Sequence, residues 1–167
     1  MSCSEQKVNI KRYKIIPRTL IFLFNGKKEV LLIRGSKAKG IWSGLLNGIG
    51  GHVEIGEDIC EAAVRELEEE TGLLDISINF CGQIMISVEE MLGVGLFLFR
   101  GIYNGDSVFS SKEGKTTWVS INELQNEEVV EDLPLLVPKV YHFRSGDPII
   151  IGKYEYDQNG SLKIFLR

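Results

Sequence analysis

Residues 51–73 read GHVEIGEDICEAAVRELEEETGL, and this stretch governs how the rest of the chain is read. Asp58 to Thr71 has helical periodicity, with acidic residues near the positive N-terminal end and Gly72 placed to end the helix in a left-handed conformation. At about 100° per residue, Cys60, Ala63, Val64 and Leu67 fall on one side, to be buried. Glu61, Arg65 and Glu68 point towards solvent, and Glu66, Glu69 and Glu70 form a third arc. That arc works against the helix. Like charges three and four residues apart each cost roughly 0.2–0.5 kcal/mol, so Glu66 beside Glu69 and Glu70 asks for a cation. The bland alternative is a solvated acidic face in which Arg65 pairs with Glu61 and Glu69.

Immediately upstream, LLNGIGGHVE is short and Gly-rich, where missing side chains let a backbone approach a ligand or take a positive φ. Further back, YKIIPRTLIFLF reads as a strand with Pro17 near its start or at a sheet edge. Asn25-Gly26 turns it, EVLLIR returns, and GSKAKGIWSG is loop. Downstream, DISINFCGQIMISV and GVGLFLFRGIY read as strands, followed by the loop NGDSVFSSKEGK and a short strand around Trp118. INELQNE is a short helix, and EDLPLLVPKVYHF a second one opened by Asp132, with Pro138 set to kink it or delay its start. The chain closes on a hairpin turning at Asn159-Gly160. Strands mixed with two or three helices make an α+β or α/β sandwich, one domain over residues 1–167 with a flexible tail at 1–11.

Composition narrows the function. The 167 residues are 44% hydrophobic, enough for a real core, and the formal net charge of −4 argues against holding a nucleic-acid polymer or an anionic membrane. A polyanionic substrate would therefore need help from metal. Cys3, Cys60 and Cys81 have no C-x-x-C spacing and read as thiols of a reducing interior. The longest apolar runs, TLIFLF and LFLF, are far too short to span a bilayer or serve as a signal core, so the expected location is cytoplasmic.

The fixed positions of the opening stretch form a pattern: Gly51, five residues, Glu57, seven residues, Arg65-Glu66-Leu67, any residue, Glu69-Glu70, any residue, Gly72-Leu73. Every position resembles the Nudix box at its spacing. The resemblance implies a Nudix α/β/α sandwich around a mixed sheet. It further implies that Glu66, Glu69 and Glu70 bind Mg²⁺, with Mn²⁺ the alternative ion, helped by the Gly50 carbonyl, while Glu57 and Arg65 hold loop and helix together. The general base varies in this family between a box glutamate and one on a later loop, which makes Glu66 and Glu113 the candidates. Glu113, five residues before Trp118, resembles the later-loop glutamate of MutT-type triphosphatases and would also serve the metal; otherwise it is a solvated loop residue.

Oxidised-purine triphosphatases of the family are similar beyond the box. LLNGIGG resembles their Asn-Gly strand and puts Asn47 where an amide reads a purine, since an amide offers both donor and acceptor. Glu131 and Asp132 resemble their acidic base-gripping pair, and IIGKYEYD their closing aromatic strand. The plainer readings make Asn47 a turn residue and Asp132 a helix N-cap. His52 stands where Lys is common in these enzymes, and a neutral imidazole does not replace a fixed charge. Lys37, in the loop before the box, is a candidate phosphate ligand or a solvated side chain. The resemblance therefore implies a Mg²⁺-dependent pyrophosphohydrolase of a nucleoside triphosphate, a purine, with an oxidised one such as 8-oxo-dGTP among the candidates. The rivals are a hydrolase of a nucleoside diphosphate derivative such as ADP-ribose and a catalytically idle nucleotide sensor.

Overall fold

Alternation along β1 (Lys14–Phe24) builds both halves of the core. Leu20, Phe22 and Phe24 pack into one apolar cluster, Ile21 and Leu23 into the other. β2 (Glu29–Gly35) repeats the arrangement, with Val30 and Leu32 on the first side and Leu31 on the second. Burial on both faces is why these strands read as continuous apolar runs. The computed structural model describes residues 11–35, 44–105 and 114–167.

The Asn25-Gly26 hairpin forms, but its left-handed residue is Lys28, at φ 61°. The Asn25 Oδ1 explains this by accepting from the N–H groups of Lys27 (2.9 Å) and Glu29 (3.1 Å), which winds the turn around the asparagine side chain. β1 and β2 then pair only at Leu23↔Leu31 and Phe24↔Val30. β2 diverges to run antiparallel with β6 (Gly114–Ser120), from Glu29↔Ser120 to Gly35↔Gly114. On its other edge β1 lies parallel to β5 (Leu92–Ile102) over its whole length, and β5 pairs antiparallel with β4 (Ile78–Glu89). β7 (Ile150–Tyr156) joins β4 in parallel and turns into β8 (Leu162–Leu166) through Gly160 at φ 78°. With the two-residue β3 (Leu46–Asn47) on β2, the order is β3-β2-β1-β5-β4-β7-β8, with β6 on β2.

Helices cover both faces of this mixed sheet, which is the α/β/α sandwich expected from the box. α1 (Ile59–Thr71) covers the second cluster through Ala63 and Leu67. A 3-10 helix (Ile121–Asn126) and α2 (Leu133–His142) cover the first through Leu124, Leu133, Leu136, Val137 and Val140. Pro138 lies inside α2, whose start it does not delay.

The buried face of α1 differs from the periodicity argument. Ala62, Ala63, Leu67, Glu70 and Thr71 are buried, whereas Cys60 and Val64 are exposed. The adjoining Gly-rich strand holds a carboxylate from the polar arc, which turns that arc inward and carries Cys60 and Val64 out to water.

Candidate active site

Residues 49–53 run along β1 like a further strand. Ile21 N–H donates to the Ile49 carbonyl (2.7 Å), Thr19 N–H to that of Gly51 (2.9 Å), and Val53 N–H to that of Pro17 (3.1 Å). Pro17 thus sits near the start of β1 and offers only its carbonyl on this side. At Gly50, with φ 145°, a Cβ would run into the Thr19 carbonyl; at Gly51 it would occupy the space of the Glu66 carboxylate. Two glycines therefore let a helix carboxylate rest on backbone. Gly50 N–H donates to Glu70 Oε2 at 3.0 Å, and Glu70 is only 2% exposed.

Arg65 organises the remaining carboxylates. Its Nε and Nη2 donate to both oxygens of Glu57 (3.0 and 2.7 Å), and Nη2 also donates to the His52 carbonyl (2.9 Å). Its Nη1 donates to Glu66 Oε1 (2.9 Å) and Glu69 Oε2 (3.2 Å). Such a two-pronged guanidinium–carboxylate pair is geometrically selective. The Arg65 hydrogen bonds, followed by the Glu54 N–H at 2.6 Å, hold the Glu57 carboxyl below its ordinary range, and Glu57 in turn raises Arg65. Arg65 therefore does not point to solvent, as the helical wheel has it, and it does not pair with Glu61. Glu61 receives the Asp58 N–H instead (2.8 Å), while Asp58 Oδ1 accepts from Cys60 and Glu61, closing a capping box at the start of α1.

Glu66, Glu69 and Glu70 supply only carboxylate oxygens, the donor type a hard divalent cation takes. Among the described residues no three His, Cys, Asp or Glu side chains are already drawn together as a metal would draw them. The reason is visible: Arg65 holds Glu66 and Glu69, and the Gly50 N–H holds Glu70.

At the edge of the sheet, β3 is zipped to residues 128–130, with Leu46 N–H donating to the Glu128 carbonyl (2.7 Å) and Val130 N–H to that of Leu46 (3.0 Å). The bridge joins Leu46 to Val129, one residue before Asn47 and two before Glu131. The Asn47 Oδ1 accepts from Gly48 N–H at 2.8 Å. Asp132 precedes α2 but makes no side-chain cap to it; it is 7% exposed and lies near the Tyr154 hydroxyl, which is buried without a well-formed hydrogen bond. Burial pushes the Asp132 carboxyl up, and burial and Asp132 together push up Tyr154. Glu131 and Asp132 also act on Tyr156, so the acidic pair and the closing aromatic strand share one corner.

The NUDIX domain family matches residues 14–140. The chain belongs to the Nudix family. Its Nudix relatives include the oxidized purine nucleoside triphosphate hydrolase of Danio rerio, 30% identical over 74% of this chain and 86% of that one. The m7GpppN-mRNA hydrolase NUDT17 of Xenopus laevis is 54% identical over 71 residues, 41% of this chain and 24% of that one. A MutT protein structure from Bacillus halodurans superposes with a TM-score of 0.73 at 23% identity, covering 91% of this chain and 97% of that one. The protein is a Nudix hydrolase, a nucleotide pyrophosphohydrolase by class.

Of the residues the sequence singled out, the Nudix fold brings Glu57, Arg65, Glu66, Glu69, Glu70, Gly50 and the His52 carbonyl into one network. Glu131 and Asp132 share a corner with Tyr154 and Tyr156, whereas Asn47 pairs with Ile33 and alternates away from Leu46, to the side of the sheet opposite that cluster. Glu113 and Lys37 lie outside the described residues. Sequence reasoning passed over Arg18, whose Nε donates to His52 Nε2 at 3.0 Å, and named Tyr154 only within the closing aromatic strand, without its nearness to Asp132. A charged residue inside the apolar run of β1 was the available signal for Arg18. Among the described residues no helix is long and apolar enough to cross a membrane.

Proposed function

We propose that this Nudix hydrolase is a Mg²⁺-dependent, cytoplasmic enzyme that cleaves a purine nucleoside triphosphate to the monophosphate and pyrophosphate, oxidised purines such as 8-oxo-dGTP being among its substrates. The observation that carries the reading is the Arg65 network. It ties Glu57, Glu66 and Glu69 to the Gly-rich strand, where Gly50 N–H also holds Glu70, so three carboxylates border one patch of backbone. Those three residues would hold the ion, with the Gly50 carbonyl, which the ladder to β1 leaves unused. The bound ion would neutralise phosphate charge and acidify a water. Arg65 and Glu57 fix the position of the helix against the loop, and Glu66 and Glu69 would exchange their hydrogen bonds to Arg65 for the ion. A water attacks one phosphorus, the phosphoanhydride bond breaks, and the water's proton passes to a carboxylate, with Glu66 and Glu113 the two candidates. The relationship to oxidised-purine triphosphatases supports assigning base recognition to Asn47, Glu131 and Asp132.

A second reading, phosphates flanked on both sides as in ADP-ribose or a cap, is favoured by the 71 residues shared at 54% with the Xenopus protein. A panel of nucleotides with Mg²⁺, Mn²⁺ or chelator tests both. Triphosphates should release pyrophosphate rather than orthophosphate, and chelation should abolish turnover. Preferred cleavage of doubly linked substrates would replace the first reading with the second.

A further inference from the structure

We infer that Arg18, aligned by His52, grips the phosphate chain of the substrate. This rests on the reading of the site as one for a phosphorylated nucleoside and adds a residue to it. Arg18 lies directly opposite His52 across the bridge between β1 and the Gly-rich strand, so their side chains share one face of the sheet. That face is the one to which Leu20 and Phe22 point, where Val130, Leu133 and Tyr154 also pack. Gly51, one residue earlier, looks the other way and carries the Glu66 carboxylate. Asp132 adjoins Tyr154 on that face, so a nucleoside held at this corner with its phosphates at Glu66 to Glu70 would run past residue 52.

The charge available at that passage belongs to Arg18. Arg65 is already matched by Glu57, Glu66 and Glu69, and Arg34 by Glu128 at 3.1 Å. Among the described residues no carboxylate forms an ion pair with Arg18. Arginine carries no acceptor, so the contact with His52 requires Nε2 to be the unprotonated nitrogen, and the imidazole adds no charge of its own. His52 thus pins the guanidinium through Nε. The two terminal nitrogens remain to meet phosphate oxygens, an arrangement a planar fork makes with two parallel hydrogen bonds and a lysine does not.

The test is calorimetric binding of inorganic pyrophosphate and of dGTP, with steady-state kinetics on the same proteins. Arg18→Gln should weaken pyrophosphate binding and raise KM on the order of 10–100-fold, with a smaller change in kcat and an unchanged melting temperature. Arg18→Lys should recover part of the loss. His52→Gln, whose amide oxygen accepts from Arg18 Nε, should stay near wild type, while His52→Ala should lose several-fold alone and nothing more in the Arg18→Gln background. Wild-type pyrophosphate binding in Arg18→Gln, or additive losses in the double variant, would overturn the inference. The two readings fail separately. A wild type that binds pyrophosphate through Arg18 but cleaves no nucleotide removes the proposed activity, whereas normal cleavage with an indifferent Arg18→Gln removes the phosphate grip.

Discussion

Glu70→Gln separates the structural from the chemical work of the acidic helix. Glu70 is 2% exposed, and its Oε2 accepts from Gly50 N–H at 3.0 Å. A glutamine can present its amide oxygen to the same N–H, so the structural loss is that of a charged acceptor becoming neutral, about 1 kcal/mol. Relief of like charge against Glu66 returns roughly 0.2–0.5 kcal/mol. The net change stays below about 1 kcal/mol, a melting shift within about 2–4 °C for a chain of this size. Glu70→Ala behaves differently, because it leaves the Gly50 N–H without its acceptor at a cost of about 1–3 kcal/mol. Turnover should respond far more. If the charge holds a cation that stabilises the transition state by about 4 kcal/mol, Glu70→Gln lowers kcat on the order of 10³-fold, at 1.36 kcal/mol per decade. Turnover and melting temperature are both measured across a Mg²⁺ titration. The wild type should melt higher as Mg²⁺ is added, and the variant should not. Near-normal turnover at saturating Mg²⁺, together with an undiminished Mg²⁺ shift in melting, refutes the assignment of Glu70 to the metal.

Asn47→Ala should cut kcat/KM for the preferred purine by roughly 1–3 kcal/mol and spare a pyrimidine triphosphate, because only the amide nitrogen of Asn47 is uncommitted to Gly48; equal loss on every nucleotide would mark it as a backbone residue. Asp132 has a carboxyl raised chiefly by burial, so the folded state holds its proton more tightly than the unfolded chain. Its contribution is favourable below the ordinary carboxylate range and fades as pH rises through the folded value. Asp132→Asn should therefore raise the melting temperature at neutral pH, flatten its pH dependence and re-rank 8-oxo-dGTP against dGTP, all read by melting curves and competition kinetics. Glu57 is depressed, chiefly by Arg65, so its contribution is present above the ordinary carboxylate range and lost as pH falls through the folded value. Glu57→Gln should lower turnover and remove that acid limb from the melting profile. For the base, kcat–pH profiles of Glu66→Gln and Glu113→Gln should differ, the true base losing about 10²–10⁴-fold and its acid limb.

The periodic and local features were legible in the sequence because neighbouring residues determine them. The α1 span with its Gly72 stop, the two Asn-Gly hairpins and the doubly buried strands needed only propensity, turn chemistry and hydrophobic spacing. The box residues were legible for the same reason, being confined to 23 consecutive positions. Rotation of α1 about its axis was not. Cys60 and Val64 satisfy the helical wheel as well as Ala62 does, and the choice falls to Glu70, which bonds a glycine 20 residues away once β1 has placed it. The Arg18–His52 pair spans 34 residues, and Asp132 meets Tyr154 only because β7 reaches the corner where α2 begins. Composition and local spacing established by themselves a single acidic helix with carboxylates to neutralise. Which of those carboxylates touches backbone, and which cation stands beside His52, depended on long-range strand pairing, because hydrogen bonds between distant segments leave no periodic trace along the chain.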